Sequence, residues 1–219
     1  MLASPSNLVI NEWMANGRDD DWIELHNPQP KPVRMDGLYL TDDLSSIGRA
    51  QFEIPQLNYI AAGGFVKWIA DADLAKGGDH VNFSLASLGE PIALYSRTKS
   101  LVDKREISIT TLGESEGRLP DGSTQITKFP STSTPGKSNY LPLENVVINE
   151  VLTHTDPPFE DAIELRNISA NIVNIGNWWI SNSEKNLKKF QISPNTTLSA
   201  RGVAVFYEGQ FNPAPGAAH

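Results

Sequence analysis

Two pairs of glutamates, Glu12 with Glu24 and Glu150 with Glu164, recur at matching places in the chain. Paired carboxyl groups can act as general acid and base, as they do in glycoside hydrolysis. That chemistry also needs a cleft with sugar or metal contacts around the pair, and no such residues accompany these glutamates. Strand-surface ion pairs, or hydrogen bonds accepted from loop amides, account for them without catalysis. The densest acidic run is Asp19-Asp20-Asp21, matched later by Asp156, Glu160 and Asp161. Calcium prefers such oxygen-rich loops, but there is no Asp-x-Asp-x-Asp-Gly pattern with a distal glutamate. A solvated acidic loop without metal is expected. The histidines are His26, His80, His154 and His219, none in a His-Glu-x-x-His spacing, and no Gly-x-Ser-x-Gly elbow is present. Gly63-Gly64 and Gly77-Gly78 do not open helices, so they are not phosphate cradles. Zero cysteine removes thiol nucleophiles, zinc–cysteine sites, iron–sulfur clusters and disulfide scaffolds together. The expectation is no enzyme: no catalytic residue, no cofactor-binding residue, no metal ligand and no cofactor.

Composition narrows the partners. The 219 residues carry a formal net charge of -8 and are 39% hydrophobic and 20% charged. That is enough apolar material for a core and is unlike a disordered chain. Residues 1–140 hold 13 Lys+Arg against 18 Asp+Glu, and residues 141–219 hold 5 against 8. Neither half offers the clustered cations that phosphate binding demands, so nucleic acid is not an expected partner. No apolar run approaches the roughly 18 residues of a membrane span, and no membrane insertion is expected. The start, Met1-Leu2-Ala3-Ser4-Pro5, has no signal-peptide pattern.

The elements that hold these residues come twice. Val9-Ile-Asn-Glu12 returns as Val147-Ile-Asn-Glu150, and Asp21-Trp-Ile-Glu-Leu-His-Asn27 as Asp161-Ala-Ile-Glu-Leu-Arg-Asn167. Residues 33–40 return within 172–180 with one insertion, and Phe52 matches Phe190. A period near 139 residues means tandem domains and not a solenoid of short repeats. Between the copies, residues 129–143 are rich in Pro, Ser and Thr and read as a domain exit and a short linker. The expected domains are 1–140 and 141–219.

Within each copy the hydrophobic period is two. Trp22, Glu24 and His26 alternate with Ile23 and Leu25, and Asp36-Gly37, Ala62-Gly63-Gly64 and Pro120-Asp121-Gly122 supply turns. Many short strands and no amphipathic helix predict an all-β fold, a β-sandwich in tandem repeat. Asn27 and Asn167 each close an apolar strand, where asparagine folds a turn. Gly37 and Gly176 are expected to supply positive φ in a hairpin. Trp22, Trp68, Trp178 and Trp179 read as core or inter-sheet packing. Adjacent residues of a strand face opposite sides, however, so Trp178 or Trp179 must be partly exposed and is a candidate contact surface.

The ordered series Val9–Ala15, Asp21–Asn27, Val33–Asp42, Ile60–Gly64, Val81–Leu85, Gly117–Gly122 and Ser133–Gly136 resembles the bacterial lamin tail domain. The resemblance covers residues 7–137 and, through the repeat, 146–219. It implies an immunoglobulin-like β-sandwich with no catalytic residues, and an extracellular or cell-surface location. It also implies a non-catalytic accessory, spacer or binding module of a larger secreted or surface protein. Such a module could alternatively be an appendage of an extracellular hydrolase or nuclease, assisting substrate binding. The implied partner is a protein or surface polymer. Copy two has no counterpart of residues 81–140, so its domain is expected to be C-terminally incomplete, with self-association through the exposed edge.

Overall fold

Alternation along Trp22–His26 sends Ile23 and Leu25 to one face and Glu24 to the other, and this pattern sets the first of two sheets. The computed structural model describes residues 1–156, 158–183 and 186–211. Contacts divide the chain into two units, Met1–Leu141 and Pro142–His219.

In the first unit the strands are β1 (Val9–Met14), β2 (Trp22–His26), β3 (Val33–Arg34), β4 (Tyr39–Thr41), β5 (Phe52–Glu53) and β6 (Tyr59–Ile60). They continue with β7 (Phe65–Ile69), β8 (Pro91–Tyr95), β9 (Leu101–Glu106), β10 (Ser115–Arg118) and β11 (Ile126–Phe129). One sheet runs β11-β10-β1-β2-β7 and the other β5-β4-β8-β9, with β3 and β6 forming a separate ribbon. Every strand pair is antiparallel. Ile10, Trp13, Ile23, Leu25 and Trp68 from the first sheet share one buried core with Leu38, Leu40, Phe52, Ile92 and Leu94 from the second. This is the expected immunoglobulin-like sandwich.

The second unit repeats the plan as β12 (Val146–Leu152), β13 (Ala162–Asn167), β14 (Val173–Asn174), β15 (Trp179–Ile180), β16 (Phe190–Gln191), β17 (Thr197–Leu198) and β18 (Val203–Tyr207). These pair as β12-β13-β18, β14-β17 and β15-β16, matching β1-β2-β7, β3-β6 and β4-β5. Among the described residues nothing corresponds to β8–β11. A short helical turn, Glu208–Phe211, follows β18 instead. No helix among the described residues is long and apolar enough to cross a membrane.

One expectation about the hairpin turns is corrected. Gly37 has φ 72°, but in the second unit the positive φ, 66°, falls on Asn177 and not on Gly176. The backbone bonds Leu38 N to Met35 O and Trp178 N to Ile175 O fix the correspondence at Gly37 with Asn177. The segments therefore align from Val33 with Val173 to Leu40 with Ile180 without the expected insertion, and asparagine tolerates the left-handed region. Gly176 is needed for another reason: a Cβ there would lie 2.6 Å from Asn195 N.

Candidate functional site

The glutamate pair is placed by a β-bulge. Pairing of β1 with β2 shifts between Ile10↔Leu25 and Glu12↔Glu24, leaving Asn11 as the extra residue. The shift lets Ile10 and Trp13 both enter the core while Glu12 stands beside Glu24 on the opposite face. The same bulge recurs in β12, between Ile148 and Glu150, and sets Glu150 opposite Glu164.

In the first unit that outer face is covered. After β11 the chain returns across it, and residues 133–139 fasten to the two carboxyl groups. Glu12 Oε1 accepts from Ser115 Oγ at 2.6 Å, and its Oε2 from Thr134 N and Oγ1, both at 3.1 Å. Glu24 Oε2 accepts from Gly136 N at 2.6 Å, and its Oε1 from Asn11 Nδ2 at 3.2 Å. Asn11 Nδ2 also donates to Asp121 at 2.9 Å, while Asn11 Oδ1 accepts from Gly122 N at 3.0 Å. Asn139 closes the ring: its amide nitrogen donates to Arg118 O at 2.9 Å, and its Oδ1 lies 2.7 Å from Thr134 Oγ1, whose single proton it shares with Glu12.

A second clasp grips the same strand. Arg118, 2% exposed, donates to Ile10 O at 2.7 Å and pairs with Asp103 at 2.7 Å. Asp103 in turn accepts from Ile10 N at 2.8 Å. Glu116 takes Trp13 Nε1 at 3.1 Å and Ser108 N at 2.9 Å.

Both paired glutamates are fully buried. Burial is the main force on Glu24 and pushes it up to about 8, against the bonds from Gly136 and Asn11 that favour its charge. Glu12 is raised by burial too, against the bonds from Ser115 and Thr134. A general acid must reach its substrate. These carboxyls reach only the chain's own donors, so their chemistry here is fastening.

The other chemistry-bearing residues are spent similarly. Asp21 Oδ1 accepts from Gly17 N at 2.8 Å, and Asp161 Oδ1 takes Thr155 N and Oγ1, both at 3.0 Å. Each closes the loop before its strand. Among the described residues no three His, Asp or Glu side chains are placed to hold a metal ion. His26 hydrogen-bonds Gly64 O at 3.0 Å and stacks on Phe65, and His80 pairs with Asp71 at 3.0 Å. His154 lies in an exposed loop, and His219 lies outside the described residues. Asn27 donates to Lys31 O and Ala61 O, and Asn167 to Asn171 O and Ser199 O; both fold their loops as turn residues. Trp22 and Trp68 are buried. Trp178 leans on the second core, while Trp179 is 42% exposed.

The sequence alone singles out the glutamates but not Asn11, Asp103, Thr134 or Asn139, and it marks Asp121 only as a turn residue. A signal existed for Asn11: the whole of Val-Ile-Asn-Glu repeats, the asparagine included. Thr134 and Asp121 lie in the quoted segments 133–136 and 117–122, where nothing local reveals a distant partner.

Two stacked antiparallel sheets in the first unit, with acidic side chains turned to internal fastening, and the first part of the same plan repeated in the second, define a tandem β-sandwich module. The chain belongs to the lamin tail domain family: the family model matches residues 2–108 and 142–218. The family is a non-catalytic, immunoglobulin-like one. The first match ends before β10, so β10, β11 and residues 133–139 are fastened on beyond the matched part. No curated protein matches the chain.

Proposed function

We propose that the chain is a non-catalytic accessory module, a spacer or binding unit of a larger secreted or cell-surface bacterial protein. Its partner is a protein or surface polymer, not nucleic acid and not a bilayer interior. The carrying observation is that, of the two glutamate pairs, Glu12 with Glu24 is buried beneath residues 133–139 and bonded to them. The acidic balance of both halves supports the exclusion of nucleic acid. The surface location rests on the family resemblance.

Four measurements test this reading. Immunoblots of the source cells should find the chain in the medium or on the cell surface; a cytoplasmic signal alone would overturn the location. The purified chain should co-sediment with cell-wall polymer or bind surface-protein extracts, without degrading either. It should also leave duplex DNA unshifted at physiological salt. Turnover of a glycoside or peptide substrate that is abolished in Glu12→Gln would refute the non-catalytic assignment.

A further inference from the structure

The segment that covers Glu12 and Glu24 is held mainly by groups that titrate. Residues 133–139, Ser-Thr-Pro-Gly-Lys-Ser-Asn, form no strand and place no side chain in the apolar core. Among the described residues no backbone–backbone hydrogen bond ties them to the rest of the unit; the one they make, Lys137 N to Thr134 O, is internal. Three of their N–H groups land on carboxyl groups instead. Thr134 N reaches Glu12 at 3.1 Å, Gly136 N reaches Glu24 at 2.6 Å, and Asn139 N reaches Asp121 at 3.0 Å. Ser138 Oγ adds a second bond to Asp121, and the Asn139 side chain holds Arg118 O.

No cation neutralises this cluster. Among the described residues none of the three carboxyls makes an ion pair. Arg118, on β10, is engaged by Asp103 and by the carbonyls of Ile10 and Ser123. Lys67, opposite Glu24 on β7, and Lys137, in the segment itself, are exposed. His26, two residues along β2, bonds Gly64 O and is pushed down by burial, so it is uncharged where Glu24 ionises.

We propose that residues 133–139 are a proton-dependent latch on the tether between the two units: they stay seated while the carboxyl cluster holds a proton and lift away as it ionises. The reason is the water that the segment excludes. Seated, it leaves Glu12 and Glu24 fully buried; lifted, it returns them to solvent. Burial holds Glu24 up at about 8, outweighing the bonds from Gly136 and Asn11, and the charges of Glu12 and Asp121 add to the push. Glu12 is raised by burial as well. An acid raised in the closed state favours closure fully below its open value, near 4.5, and progressively less as pH climbs towards 8. The consequence is a change of reach. Seated, the segment leaves residues 140–145 as the free stretch before β12; lifted, it adds its own seven residues to that stretch. The tether then spans up to about 25 Å more. The latch is a property of the chain itself and holds whatever the module binds.

Amide hydrogen exchange on the full chain, resolved by residue, tests this. Relative to intrinsic rates, protection of the Thr134, Gly136 and Asn139 amides should fall about tenfold per pH unit between pH 6 and 8, the slope for one proton released on opening. The amides of Ile23 and Leu25, in the central strand β2, should stay at least about tenfold better protected throughout, because a local opening leaves the sheet intact. Glu24→Gln should abolish the slope. A second measurement keeps Glu24 in place. The chain has no cysteine, so a nitroxide on Lys137→Cys reports the segment alone; it should be immobilised at pH 6 and mobile at pH 9. Segment amides that exchange together with those of β2 overturn the proposal, as does protection that is flat with pH. A slope that survives Glu24→Gln, or a nitroxide equally mobile at both pH values, overturns it too.

Discussion

Glu12 and Glu24 turn a motif suited to catalysis into an internal fastener, and their titration makes this measurable. Glu24 is neutral in the fold up to about pH 8 but ionises near 4.5 when unfolded. A raised folded pKa in an acid means that stability is full below the unfolded value and is lost as pH climbs towards the folded one. His26 is shifted down by burial, so it works the other way, but only below about pH 6.5, its ordinary value. Between pH 6.5 and 8 the glutamate dominates. The melting temperature of the first unit should therefore fall over that interval and level off above it. Glu24→Gln should flatten the slope whatever it does to absolute stability; an unchanged slope would place the titration elsewhere. Calcium belongs to this scale as well. Asp21 is engaged by Gly17 N, so calcium added after chelation should raise the melting temperature by less than about 2 °C, since only a ligand bound to the native state stabilises it. A rise of several degrees, lost in Asp20→Ala, would establish a metal site.

At the scale of elements, the seam between β1 and β10 decides how the first unit is finished. Gly117 faces Glu12 across it, and a Cβ there would lie 2.6 Å from Asn11 O and 2.8 Å from Asn139 Nδ2. Two polar partners of the fastening ring would be pushed apart together. Gly117→Ala should cost about 2 kcal/mol or more, the range for a disrupted buried hydrogen-bond network. Thr134→Val keeps the shape but removes the hydroxyl shared by Glu12 and Asn139, so about 1–2 kcal/mol should be lost. Denaturant midpoints would read both values. A neutral Gly117→Ala would mean that β10 is not held against β1 as described.

Across the whole molecule the two units differ in how much they bury. The first gathers twenty-one buried apolar residues into one core; the second, among its described residues, gathers six. Its outer strand also leaves Ile148, Val151 and Leu152 more than 45% exposed. Stability follows buried apolar area, so the second unit should open first. Limited proteolysis should cut near the exposed residues 140–144 and leave a resistant fragment of about residues 1–140 while the remainder is digested. Equal resistance of both units in a strict monomer would show that the second is complete as a shorter domain.

Local order and the repeat itself were legible in the sequence. Alternation along residues 22–26 and the turn residues forced strands, and two copies of Val-Ile-Asn-Glu forced a tandem arrangement, because side-chain period and backbone permission are local properties. Asn27 and Asn167 were readable as turn residues for the same reason: the groups they bond include ones two to four residues away. Only the tertiary structure decided what the glutamates do. Glu12 meets Thr134 at a separation of 122 residues, and Glu24 meets Gly136 at 112, contacts that no local pattern encodes. The matching residues in the second unit, Glu150 and Glu164, have a closely similar local sequence and a different environment. Burial and hydrogen-bond partners depend on which distant segment covers a face, and that is a property of the packed chain.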